Sequence, residues 1–202
     1  MKTILHLNSS IYGDGGQSSR LAQAFIAELP RGRVVARDLA KNPLPHLDAE
    51  RFGAFLAKPE ARTPAQQAVV DESDALIAEL KQADTLVLGL PMYNFGVPSQ
   101  LKAYFDHIAR AGVTFKYTEK GPVGLLGGKK AYVFAARGGL YQGTPRDTQT
   151  AYVREFLAFL GITDVQFLYA EGLAIGEAQK TQSLAAARRS LRSLAQPERI
   201  AA

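Results

Sequence analysis

The chain has 202 residues, 47% of them hydrophobic and 21% charged, a balance that suits a folded core and excludes a disordered chain. The absence of cysteine excludes a disulfide framework, thiolate metal sites and iron–sulfur clusters. The net charge of +5 suggests a nucleic-acid partner, but the basic residues are scattered rather than gathered into one patch.

At this length one domain over residues 1–202 is expected, burying roughly 70% of its unfolded surface. No apolar run approaches the ~18 residues of a bilayer span. The opening MKTILHLNSS is too short an apolar stretch for a signal peptide, because His6 and Asn8 interrupt it. A cytoplasmic protein without a membrane partner is the expectation.

In chain order, residues 3–7 read as a strand buried on both faces, followed by a polar, glycine-bearing loop over 8–17. A helix then starts at Ser18 or Ser19, with Leu21, Ala24, Phe25 and Leu29 on its inner face. Residues 33–37 form a second strand candidate. The proline-rich stretch 38–64 holds one short helix near 47–56, and connections this long are usually lids or interface elements. The next helix covers about 65–82, with Val69, Ser73, Leu76 and Leu80 on one face and Val70 and Ile77 beside them.

Residues 84–90 (DTLVLGL) make the clearest buried strand. A loop over 91–96 leads to a helix opened by Pro98 and Ser99, with Leu101, Tyr104, Phe105 and Ile108 inward. Residues 115–124 read as an extended excursion and 130–136 as a strand. A loop over 137–146 precedes a helix with Val153, Phe156, Leu157 and Leu160 inward. A last strand at 164–169 precedes a helix near 177–194. There Leu184, Ala187, Leu191 and Leu194 make the dry side, and Arg188, Arg189 and Arg192 the wet one.

Strands alternating with helices predict a parallel sheet covered on both faces. Five strands favour the order 2-1-3-4-5, which places a ligand at the carboxyl edge between the first and third strands. The loops after strands one, three and four should therefore be unusual, and they are. The first is dense in hydroxyls and ends at a helix N-terminus, where free N–H groups and the helix dipole suit a phosphate. Ser10, Gln17 and Ser18 are its donors, although an ordinary serine cap after a flexible turn would look the same. Neither a P-loop nor the GxGxxG pattern fits this chain.

The second loop, PMYNF, places apolar side chains around Asn94 where a polar turn is expected, an arrangement suited to a flat heteroaromatic ring. In the third, Gly138 and Gly139 after Arg137 allow backbone to approach a ligand. Phe159 stands off the inner face of its helix, so its ring is expected to be exposed, at a partner surface, or tucked under a loop. His6 reads as a packed, hydrogen-bonded core residue. His46 and His107 lack metal-ligand spacing, and the GxSxG elbow of a serine hydrolase is absent.

These stretches carry a resemblance: the SSI of the first loop, PMYNF, LKAYFDHIARAGVTFKYTEKGP, ARGG, FLGITDV and the AEG beyond. Over essentially its whole length the chain resembles the bacterial FMN-dependent NADH azoreductases, also called NADH:quinone oxidoreductases. The resemblance implies a flavodoxin-like homodimer with one tightly but non-covalently bound FMN per subunit at the interface, and NADH or NADPH as donor. By it, Ser10, Gln17 and Ser18 hold the phosphate and ribityl end. Met92, Tyr93, Asn94 and Phe95 border the isoalloxazine, the Asn94 amide facing its N5, and Arg137, Gly138 and Gly139 lie near the pyrimidine edge. Gly16, Pro91 and Ala136 complete the cofactor set; many relatives carry serine where this chain has Ala136.

Tyr117 and Phe159 are implied as walls of the substrate cleft, with Tyr117 on an arm reaching the other subunit. The implied reaction is a ping-pong hydride transfer that reduces quinones to hydroquinones and cleaves azo bonds, with no side chain needed as obligatory acid or base. A flavodoxin-type electron carrier working with a partner flavoprotein is the alternative, disfavoured by the basic charge.

Overall fold

The computed structural model describes residues 1–195. Its central sheet has five parallel strands: β1 (Thr3–Asn8), β2 (Arg33–Asp38), β3 (Thr85–Pro91), β6 (Lys130–Ala136) and β7 (Asp164–Ala170). They lie in the order β2-β1-β3-β6-β7, which is the expected 2-1-3-4-5 once a separate hairpin is set aside. That hairpin, β4 (Phe115–Thr118) and β5 (Gly121–Gly124), is antiparallel and accounts for the extended excursion.

The helices are α1 (Gln17–Glu28), α2 (Ala49–Leu56), α3 (Pro64–Gln82), α4 (Ser99–Ile108), α5 (Thr150–Phe159) and α6 (Glu177–Ala195). One core packs α3, α4 and α5 against one face of the sheet, and the other packs α1 and α6 against the opposite face. Phe25, Leu88, Leu101 and Val133 are each 0% exposed; a side chain buried this fully contributes about 1.5–3 kcal/mol. Among the described residues no helix is long and apolar enough to cross a membrane.

Helix starts follow local chemistry. Thr63 and Gln66 cap α3 reciprocally, Thr63 Oγ1 accepting from the Gln66 amide at 3.2 Å and Gln66 Oε1 from the Thr63 amide at 2.9 Å, with Pro64 in the first turn. Asp48 caps α2 through the Arg51 amide at 2.8 Å.

Two details depart from the sequence reading. α1 begins at Gln17, one residue early, because Gly16 takes the cap position. Its dry face is Leu21, Ala22 and Phe25, whereas Ala24 is exposed. A four-residue step back from Phe25 and Ile26 selects Leu21 and Ala22, and an alanine is too small to betray its side by hydrophobicity. On α3 Ser73, Leu76 and Leu80 are buried as expected, with Val70 and Ile77 beside them; only Val69 departs, being half-buried.

Candidate functional site

The loops after β1, β3 and β6 meet at the carboxyl edge of the sheet, where the strand order reverses. Asn8, the last residue of β1, organises the first of them. Its Oδ1 accepts from the Ser10 amide at 3.1 Å and from Ser19 Oγ at 2.7 Å, so the chain curls back over the start of α1. Ser9 Oγ donates to the Gly89 carbonyl at 2.7 Å and pins the loop to β3. Sequence reading missed Asn8, though an Asx turn after a buried strand is a usable local signal.

Ser10, Gly16 and Ser18 are buried here, with Gln17 half-buried beside them. A Cβ added to Gly16 would lie 2.7 Å from Ser10 Cβ and closer still to its Oγ, so a side chain there would fill the cradle. The Ser18 hydroxyl is buried without a hydrogen-bond partner among the described residues. It sits in the first turn of α1, where helix amides have no acceptor of their own and the dipole end is positive. An orphaned hydroxyl, a position without room for a side chain and a helix N-terminus together fit an anionic oxygen-rich group such as a phosphate. The cofactor expected from the sequence fits these residues.

Tyr93 joins the first loop to the second: its hydroxyl accepts from the Ile11 amide at 3.3 Å and lies 3.4 Å from Ser10 Oγ. Residues 93–96 form a tight turn in which Tyr93 and Gly96 exchange both backbone hydrogen bonds, at 3.2 and 2.9 Å. Both central residues are left-handed, Asn94 at φ 49° and Phe95 at φ 64°. Asparagine tolerates that region; for phenylalanine it costs about 1 kcal/mol or more. The turn leaves Asn94 and Phe95 exposed and their amides without an acceptor among the described residues. Pro91 is buried at the end of β3, and Met92, half-buried, donates its amide to the Ala136 carbonyl at 3.1 Å.

The third loop is zipped to residues 172–174: the amides of Gly172, Leu173 and Ala174 donate to the carbonyls of Gly139, Arg137 and Gly138 at 2.9, 3.1 and 3.0 Å. Ala136 is buried in register between Pro91 and Ala170. The Tyr141 ring folds over Gly139, where a Cβ would stand 2.6 Å from Cζ, and meets Phe95 edge-on with centroids 5.7 Å apart.

The Arg137 side chain turns inward. Its guanidinium is fully buried and bonds Asp147 at 2.7 Å, Glu171 at 3.1 Å, Gln149 at 3.3 Å and Thr150 at 3.2 Å. It also lies over the Tyr169 ring, 5.0 Å from the centroid. Burial opposes the Asp147 charge, but hydrogen bonds from Arg137 and Thr150 outweigh it and hold the carboxyl below its usual range. The side chain is spent inside the protein; only the backbone of this residue remains for a ligand.

Tyr117 is 74% exposed on β4, whereas Phe159 is half-buried, tucked against Phe115 with centroids 4.3 Å apart. Phe115 in turn meets Tyr117 edge-on at 5.4 Å, so the hairpin brings both rings into one cluster. The Leu126 amide ties the hairpin to Leu160 at 2.8 Å, at the C-terminal end of α5. The three loops lie at the other end of that helix, whose ten residues span about 15 Å. Within one chain, therefore, the two aromatics and the loops do not meet.

His6 is buried, but its Nε2 has no partner among the described residues, contrary to the expected hydrogen-bonded core histidine. Burial lowers its pKa, with Asp14 and Asp38 opposing.

A family model described as flavodoxin-like fold matches residues 2–195. The FMN-dependent NADH:quinone oxidoreductase of Cellvibrio japonicus is 56% identical over 195 residues, covering 95% of this chain and 97% of that protein. The chain belongs to this flavodoxin-like oxidoreductase family. Among solved structures, the azoreductase from Bacillus anthracis strain Sterne superposes on this oxidoreductase-family chain with a TM-score of 0.88 at 29% identity, covering 96% of this chain and 99% of that one. The FMN-dependent NADH-azoreductase from Bacillus anthracis strain Ames Ancestor, solved in complex with FMN, gives 0.84 at 27% identity, covering 97% and 100%.

Proposed function

We propose that this chain is an FMN-dependent NADH:quinone oxidoreductase that also cleaves aromatic azo bonds, as the names of its relatives suggest. The observation that carries the reading is the unpartnered Ser18 hydroxyl beside the Gly16 cradle at the N-terminus of α1. Ser10, Gly16, Gln17 and Ser18 would hold the phosphate and ribityl end. Pro91 to Phe95 would border the ring, with the free amides of Asn94 and Phe95 as donors to it. Ala136 to Gly139 would line the other edge through backbone, since the Arg137 side chain is occupied. When bound, FMN supplies the two-electron chemistry, taking a hydride from the nicotinamide and passing the electrons to quinone or azo acceptor.

The chain's part is placement. The left-handed turn presents amides instead of side chains, which suits stabilising negative charge on the ring without an acid or base. Donor and acceptor would occupy the same face in turn, a ping-pong order. Tyr117 and Phe159 stand about one helix length from the loops, so the reading includes a homodimer in which they wall the partner's cleft. A single domain over 1–202 and a cytoplasmic location complete it.

The test is direct. Purified protein should be yellow, oxidise NADH, or NADPH, without another protein, reduce a quinone and bleach an azo dye. Light scattering should give about twice the 21.9 kDa chain mass. A yellow protein that takes electrons only from another flavoprotein would make it a carrier; a colourless one that ignores added FMN would end the flavin reading.

A further inference from the structure

Gln149 lies just before α5, 0% exposed, between the second and third loops. Its Nε2 donates to the Pro91 carbonyl and to the Gly96 carbonyl, both at 2.9 Å. Its Oε1 accepts from Arg137 Nε at 3.3 Å. Only this orientation of the carboxamide satisfies two carbonyls and a guanidinium at once. Both amide protons and the carbonyl oxygen of the carboxamide are thus engaged, as a buried polar group requires.

The two carbonyls it holds flank the 91–96 segment. Between them lie Asn94 and Phe95, both left-handed, a conformation that persists only when its surroundings impose it. The neighbouring Thr148 hydroxyl donates to the Phe95 carbonyl and grips the same turn from outside. Arg137, held by Asp147 and Glu171, anchors the other end of the carboxamide. The chain of contacts runs from a buried ion cluster through one amide side chain into a strained turn.

We propose that Gln149 is a positioning residue: it holds the 91–96 turn in its left-handed form, coupled to Arg137, so that the Asn94 and Phe95 amides face the cofactor ring. The part about the ring rests on the flavin reading above; the part about the turn does not. Gln149 touches no reacting atom and acts through the turn.

Two substitutions separate its functions. Gln149→Leu removes both donors and the acceptor at similar volume. Gln149→Glu keeps an acceptor for Arg137 but sets a carboxylate against the two carbonyls. Hydrogen exchange on FMN-free protein should show the amides of Tyr93 and Gly96, which bond each other's carbonyls across the turn, exchanging at least about tenfold faster in both variants, with residues 9–19 unchanged. Losing two buried hydrogen bonds should weaken FMN binding by about ten- to hundredfold. Riboflavin, which lacks the phosphate, should weaken by the same factor, because the phosphate end is untouched. Unchanged exchange at Tyr93 and Gly96 overturns the proposal. So does a collapse of the riboflavin-to-FMN affinity ratio, which would mean that Gln149 only maintains the fold. If the natural chain binds neither flavin while the turn still loosens in the variants, the flavin reading fails and the hold on the turn stands.

Discussion

Gly16 and Ser10 are packed backbone to side chain, so closely that a methyl group on Gly16 would displace the serine hydroxyl. Ser10 Oγ also accepts from the Tyr12 amide at 3.2 Å, so the displacement would unseat the whole first loop. Gly16→Ala should therefore lower FMN affinity at least about tenfold, read by flavin fluorescence titration, with helix content by circular dichroism retained. Unchanged affinity would remove the first loop from the cofactor site.

Ser18→Ala should have effects of opposite sign. The hydroxyl is buried and unpaired in the chain alone, so removing it should leave the FMN-free protein as stable or up to about 1 kcal/mol more so. A hydrogen bond to a phosphate is worth about 1.5–3 kcal/mol, so FMN affinity should fall by about ten- to hundredfold. Thermal unfolding without FMN and a titration with it read the two effects separately. A loss of both stability and affinity would assign Ser18 an ordinary capping role.

Arg137→Met should be far more damaging than the loss of a surface arginine. It strands the Asp147 and Glu171 side chains, 9% and 12% exposed, without their cation. Breaking such a pair costs about 3–5 kcal/mol. In the natural protein the Asp147 pKa is depressed below its ordinary 3.8. Its contribution is thus full above that value and lost as pH falls through the folded one. In the variant the stranded carboxyls favour protonation, so the stability gap measured by urea unfolding should narrow between about pH 7 and pH 4. A gap that does not change with pH would mean that packing, not charge, is what Arg137 supplies.

His6 makes acid destabilisation measurable. Burial lowers its pKa from the ordinary 6.5, with Asp14 and Asp38 opposing. The folded chain thus binds this proton less readily than the unfolded one. The sign follows: the stabilising effect of the neutral ring is complete above 6.5 and is lost as pH falls through the folded value. His6→Leu should flatten the dependence of Tm on pH below 6.5 while leaving the curve above it parallel. An equal slope in both proteins would show that the ring does not titrate on unfolding.

The three loops were legible because each breaks a local rule: hydroxyls and glycines before a helix, apolar residues after a buried strand, a glycine pair after Arg137. The resemblance then supplied roles for residues such as Gly16 and Ala136 that no local pattern singles out. Gln149 left no such trace, since a glutamine before a helix looks like any polar loop residue. The inward turn of the Arg137 side chain left none either: Asp147 lies ten positions away and Glu171 lies thirty-four, and nothing in the spacing pairs them.

The sequence by itself determined the alternation of strands and helices, their inner faces to within one residue, and the edge of the sheet where a ligand belongs. Periodicity, capping and strand burial are properties of neighbouring residues and are written locally. Only the tertiary structure decided that Arg137 turns inward, that one carboxamide joins two loops, and that Tyr117 and Phe159 gather at the far end of α5. The first two outcomes depend on which polar atoms, from ten to 58 residues apart, find each other once water is excluded, and the third on which apolar rings pack together; neither is written in the spacing of neighbouring residues.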